Sequence, residues 1–144
     1  MNPSRRQVAA ARLAAAEAAR ATADLARAVV GETSSQASAE DRIRAARRLR
    51  VLSLEVLDWT IRSEFLNGVP WEELAGYARR DAETLRRQYE AGTLQWVASL
   101  PESTESEADA ADTLDGWYRR HAEELLDPAH ETPVGGLFTP PGSC

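Results

Sequence analysis

Small and mostly apolar residues recur through the first thirty positions at a spacing that a helix gathers onto one side. Val8, Ala11, Ala15, Ala18, Thr22, Leu25 and Val29 follow one another in alternating steps of three and four. On a 3.6-residue helix that pattern is a single stripe. Arg12, Glu17, Arg20, Asp24 and Arg27 fall elsewhere around the same helix. The stripe carries too little Leu and Ile for a stable isolated coiled coil, so it predicts a helix over residues 4–30 that needs a partner. Its small side chains let that partner come close. Pro3 and Ser4 fit the start of this helix and Gly31 fits the C′ position after it.

The partner is predicted next in the chain. After the polar loop "ETSSQAS" (32–38), Ser38 reads as an N-cap, with Asp41 at the third helical position, for a helix over Ala39–Leu66. One apolar stripe on it comprises Ala45, Leu49, Leu52, Val56, Trp59 and Leu66. Leu54, Leu57, Ile61 and Phe65 add a second, so this helix is expected to be central, touching the first helix and the later ones. "NGVP" (67–70) ends it, because Asn67 and Gly68 tolerate left-handed backbone and the residue before Pro70 disfavours the α region. A short helix, Trp71–Ala78, is predicted next. Asp81 then caps a helix from Ala82 to at least Ala91, where Gly92 either ends it or weakens it before "TLQWVASL" resumes the pattern. "PESTESEADAAD" reads as an acidic hinge leading, through Asp109 or Asp112, into a last amphipathic helix with Leu114, Trp117, Tyr118, His121 and Leu125. From Asp127 onward, four prolines and three glycines in eighteen residues predict a flexible tail.

The fold class expected is therefore all-α. A long helical hairpin and a further helical unit occupy residues 1–100, a hinge and C-terminal helix 101–126, and a tail 127–144. No alternating β-branched run calls for a sheet. Apolar residues make up 43% of the 144 but are mostly alanine, which implies a thin, closely packed core. Trp59, Trp71, Trp96 and Trp117 read as bulky wedges in it, with Trp117-Tyr118 a candidate docking point for a partner. The single Cys144 excludes an internal disulfide and points to a cytoplasmic protein. Arg5-Arg6 ahead of an Ala-rich segment has the outline of a twin-arginine signal, but Arg12, Glu17, Arg20 and Asp24 break the apolar region such a signal needs. No run approaches the roughly 18 apolar residues of a membrane span.

The net charge of −6 is unevenly spread: +5 over residues 1–50, −3 over 51–100 and −8 over 101–144. All seventeen cations are arginine, which reads as compositional bias rather than selection for bidentate binding. Overall acidity disfavours strong non-specific binding to phosphate, yet the asymmetry allows one basic face.

"WEELAGYARRDAETLRRQYE" (71–90) has helix-turn-helix spacing: a short helix, a tight break and a second helix with one inner side. Leu74 takes an apolar inner position, Ala75 the small residue where the two helices cross, Ala78 another small one. Leu85 and Tyr89 face inward on the second helix, leaving Ala82, Glu83, Arg86, Arg87 and Glu90 outward. Over roughly residues 52–90 the chain resembles small actinobacterial helix-turn-helix proteins. In these a Trp-x-Glu-Ile-Ala segment leads through a Gly-Val-Ser turn into a helix ending in Arg and an aromatic. Trp71, Glu73, Leu74, Ala75, Asp81 (for the Ser), Arg87 or Gln88, and Tyr89 carry the match. The resemblance implies a trihelical DNA-binding unit and a transcriptional regulator; on the residues themselves, Arg79, Arg80, Ala82, Glu83, Arg86 and Arg87 are the candidate DNA contacts. Arg79 stands where the family has its turn glycine and Arg80 where it has an apolar plug.

Two further expectations concern partners. "RIRAARRLR" (42–50) places Arg44, Arg47 and Arg48 on one helix face, a secondary basic patch for nucleic acid or for an acidic partner. The stripe over residues 8–29 is a candidate homodimer surface, since most such readers bind as two-fold pairs. The alternative function is an adaptor or inhibitor that binds another protein and keeps the helix-turn-helix as scaffold. Catalytic residues, cofactors and a metal site are not expected. His121 and His130 stand alone, Glu72–Glu73 and Glu123–Glu124 diverge around their helices, and no Gly-rich phosphate loop or nucleophile–histidine setting is present.

Overall fold

The computed structural model describes residues 3–33, 36–122, 132 and 134–140. The protein is all-α, with helices α1 (Pro3–Glu32), α2 (Ala39–Leu66), α3 (Trp71–Ala78), α4 (Ala82–Ala98) and α5 (Glu105–His121) and a 3-10 turn at Gly135–Leu137. α1 and α2 form a long hairpin; α3 and α4 pack on each other and on α2, while α5 lies on α1 and carries the 3-10 turn. The central position expected of α2 is thus shared with α1. Among the described residues no helix is long and apolar enough to cross a membrane.

The ends of α2 follow from local chemistry. Ser38 is extended (φ −70°, ψ 161°) and its hydroxyl oxygen accepts from the Asp41 N–H at 3.1 Å, while Glu40 and Asp41 place carboxylates in the first turn. At the other end Gly68 adopts φ 93°, a conformation that glycine reaches without strain. There the N–H groups of Asn67, Gly68 and Val69 cap the carbonyls of Ser63, Phe65 and Glu64. α1 continues through Gly31, expected just past its end, because one helical glycine costs only about 1 kcal/mol. α4 likewise runs unbroken through Gly92. α5 begins at Glu105, ahead of Asp109 and Asp112, with Glu105 and Glu107 in its first turn and Arg119, Arg120 and His121 in its last. Both ends complement the helix dipole.

Two clusters form the core. Ile61 of α2, Leu74 and Ala75 of α3, and Leu85 and Tyr89 of α4 make the first, flanked by Phe65, Val69, Trp71, Ala78 and Ala82. Leu13 of α1 with Ala111 and Leu114 of α5 makes the second, with Val134 and Phe138 packed against it. Phe65 stacks on Trp71 at 4.7 Å, and Trp59 meets Trp96 edge-on at 4.8 Å, as wedges in a thin core do. Trp117 works differently. Its indole N–H donates to Asp24 at 3.1 Å, and the Arg20 and Arg27 guanidiniums lie 5.8 and 5.6 Å from its ring, so it fastens α5 to α1 through polar contacts.

Within the segment read as a tail, residues 134–140 are seated on the fold. The buried Asp115 carboxylate accepts from the backbone N–H groups of Val134 and Gly135, both at 2.8 Å, and Arg5 donates to the Thr139 carbonyl at 3.2 Å. A β-carbon at position 135 would come 2.5 Å from Asp115 Oδ2, so only glycine permits this approach. His130 lies outside the described residues.

Tyr89 fixes α4 on α2. It is 2% exposed, its hydroxyl donates to Asp58 Oδ1, and the Arg62 guanidinium stands 5.8 Å from its ring. Burial, then the Asp58 carboxylate, raises its pKa. Tyr89→Phe deletes that bond and leaves the ring in place, so urea unfolding should show a loss of about 1 kcal/mol with an unchanged slope.

Candidate nucleic-acid interface

α3 and α4, a short helix and a longer one joined by a tight turn, pack on each other through the inner residues anticipated from spacing. Leu74 and Ala75 are buried where the helices cross, and Leu85 and Tyr89 are the buried side of α4. Between them lies the turn Arg79-Arg80-Asp81. Arg79 adopts φ 54°, ψ 47°, the one non-glycine residue with positive φ among those described. Its N–H and that of Arg80 both donate to the Ala75 carbonyl, closing α3 with a left-handed cap. A side chain in that region costs about 1 kcal/mol relative to glycine. Asp81 then launches α4: Oδ2 accepts from the Thr84 N–H at 3.0 Å and from its hydroxyl at 3.1 Å. The Thr84 backbone and side-chain bonds hold the Asp81 carboxyl below its ordinary pKa.

The arginines of this unit sit in three different settings. Arg79 is exposed and has no hydrogen-bond or ion-pair partner for its side chain among the described residues. Arg80, where an apolar plug was expected, is also exposed; its Nη1 donates to Gln88 Oε1 at 3.1 Å. Val69, Ala78 and Ala82, on either side of the turn in sequence, pack against the core cluster in its stead. Arg86 is held between carboxylates, with Nη2 at 3.0 Å from Glu83 and Nη1 at 3.8 Å from Glu90, while Arg87 lies 3.8 Å from Glu83. The Arg86 hydrogen bond, then its charge, lowers the Glu83 pKa. Glu83, Arg86, Arg87 and Glu90 with Ala91 and Leu94 line a shallow groove along the outer face of α4.

Three sequence expectations change here. Ala82, expected among the outward contacts, is half-buried and packs on the core, because the first turn of α4 sits directly over the α3 crossing. Arg44, Arg47 and Arg48 belong to the N-terminal half of α2, and about 16 Å of helix separates Arg47 from Asp58, where α4 meets α2. The two basic groups are therefore not brought together. Arg44 pairs with Glu40 and Asp41, whereas Arg47, Arg48 and Arg50 are exposed, with no ion-pair partner among the described residues. In the stripe over residues 8–29, Ala11 and Ala18 are buried within the chain, at 0% and 8% exposure. Much of the surface a homodimer would need there is already covered.

Sequence reasoning passed over Tyr77, which is 76% exposed at the end of α3 and donates to Glu73 at 2.9 Å. Its spacing from Glu73 was the available sign. It also left Glu83 and Glu90 simply outward, although their spacing of three and four from Arg86 marks them as its partners. No protein-family model, no curated protein and no solved structure matches the chain.

Proposed function

We propose that the protein is a helix-turn-helix DNA-binding protein acting as a transcriptional regulator, with α4 entering the major groove. The turn arginines Arg79 and Arg80 and the helix arginines Arg86 and Arg87 meet phosphate, and Glu83 or Arg86 reaches base edges. The observation that carries this reading is Arg79: an arginine held in left-handed backbone, exposed and without a side-chain partner among the described residues, at the turn ahead of α4. Glycine would be more stable there, and strain kept at one exposed position points to use of the side chain.

The second reading, an adaptor or inhibitor with the helix-turn-helix as scaffold, is favoured by the carboxylates around Arg86 and Arg87. Such exposed pairs within one helix are weak and screened by salt, so phosphate can replace them.

Arg79→Gly separates the two. Both readings expect it to stabilise the fold by about 1 kcal/mol. DNA binding further requires weaker affinity for duplex and a salt dependence shallower by about 0.9, one phosphate contact. An unchanged affinity and slope in fluorescence anisotropy would assign the turn to the scaffold.

A further inference from the structure

The stripe Leu54, Leu57, Ile61 and Phe65 is only half used. Ile61 is 5% exposed and Phe65 half-buried, because α3 and α4 lie over them, while Leu54 remains 47% exposed about two turns before Ile61 on the same face. Towards the N-terminus that face continues through Val51 and Ile43, 46% and 62% exposed, with Arg47 between them. α1 packs on the opposite side of α2, where Leu52 is buried. From Ile43 to Leu57 the open face is about 21 Å long, four turns of helix. Residues lining this shallow groove include Ile43, Arg47, Arg48, Arg50, Val51 and Leu54.

We propose that this face is a docking surface for an acidic amphipathic helix of a partner protein. Apolar side chains at helical spacing, open over four turns, fit a helix laid along α2 by its own apolar stripe. Charge fixes the character of that helix. Arg47, Arg48 and Arg50 have no acidic partner among the described residues, and the nearby Glu40 and Asp41 are already engaged with Arg44. Carboxylates flanking the incoming stripe would meet all three guanidiniums, which bind carboxylate bidentately. A second copy of this chain, paired about a two-fold axis, would set the same arginines against each other. Duplex DNA would press phosphate onto Ile43, Val51 and Leu54. The groove residues lie N-terminal to Asp58, where Tyr89 of α4 meets α2, and are distinct from those of the groove of Glu83, Arg86 and Arg87, so docking does not depend on the DNA reading.

The test uses the full chain and a fluorescein-labelled synthetic helix of about 20 residues, with leucines at i, i+3 and i+4 spacing and glutamates on both flanks. Saturable anisotropy binding is expected, weakened at least about tenfold by Leu54→Asp and by Arg47→Ser/Arg50→Ser, and equally by glutamine for glutamate in the peptide. All these side chains are exposed, and Val51→Ser is a milder apolar variant should Leu54→Asp lower helicity by circular dichroism. Absence of binding, or binding indifferent to both sets of variants, overturns the proposal. So does self-association in sedimentation that Leu54→Asp abolishes while the peptide fails to bind, which would make a second copy the occupant. Loss of duplex affinity on Arg47→Ser/Arg50→Ser with no peptide binding would make the face part of a DNA footprint and overturn it equally.

Discussion

Replacing Arg86 and Arg87 together by glutamate should lower affinity for duplex DNA by roughly a hundredfold at low salt, the largest functional effect expected of any surface change. Both side chains are exposed on the outer face of α4, where a helix seated in the major groove presents its cations to phosphate and base. The reversal removes two attractions and adds two repulsions. It also sets new carboxylates beside Glu83 and Glu90, which now hold Arg86, so some loss of helix stability is expected too. Arg86→Gln/Arg87→Gln isolates the electrostatic part: the charge disappears without new repulsion, and the affinity loss should be several-fold smaller. Equal affinity in all three proteins, read by anisotropy on genomic fragments, would remove α4 from the interface.

Leu85→Ala should produce the largest loss of stability, about 3 kcal/mol. Leu85 is 0% exposed and sits among Ile61, Leu74, Ala75 and Tyr89, the residues through which three helices meet. Its removal leaves a cavity that α2, α3 and α4 cannot all close upon. Against a total stability on the order of 5–15 kcal/mol, that is a large fraction. Leu94→Ala, on the same helix but 51% exposed, is the matched control and should shift stability by less than about 0.5 kcal/mol. Comparable urea midpoints for the two variants would contradict the core described for this unit.

Much of this architecture is legible in the residues themselves. Ser38 and Asp41 set the start of α2, "NGVP" its end, and Asp81 the start of α4, because capping groups and left-handed turn residues act locally. Leu74, Ala75, Leu85 and Tyr89 announced an inner face by spacing alone. Tertiary context decided the rest. Gly31 and Gly92 stay helical because packing on either side outweighs a small propensity cost. Leu54 and Leu57 read as core yet stay open, since hydrophobic spacing predicts a face but not where its cover ends. Asp115 gave no sign of binding the backbone at Val134 and Gly135, a contact across nineteen and twenty residues. At the candidate interface, shape was readable and electrostatics was not. Arg79 and Arg80 were visible as departures, but only the fold separates an Arg79 without a partner among the described residues from an Arg86 clasped by two carboxylates.

Whether those arginines meet phosphate is the central question, and the salt dependence of duplex binding answers it most directly. Affinity of the full chain for a random-sequence duplex of about 25 base pairs, plotted as log K against log of salt concentration, should be linear. Four arginine contacts from Arg79, Arg80, Arg86 and Arg87 give a slope of about −3.6. No binding at low salt, or a slope near zero, would contradict a DNA-binding role and leave the helix-turn-helix as a scaffold for protein contacts.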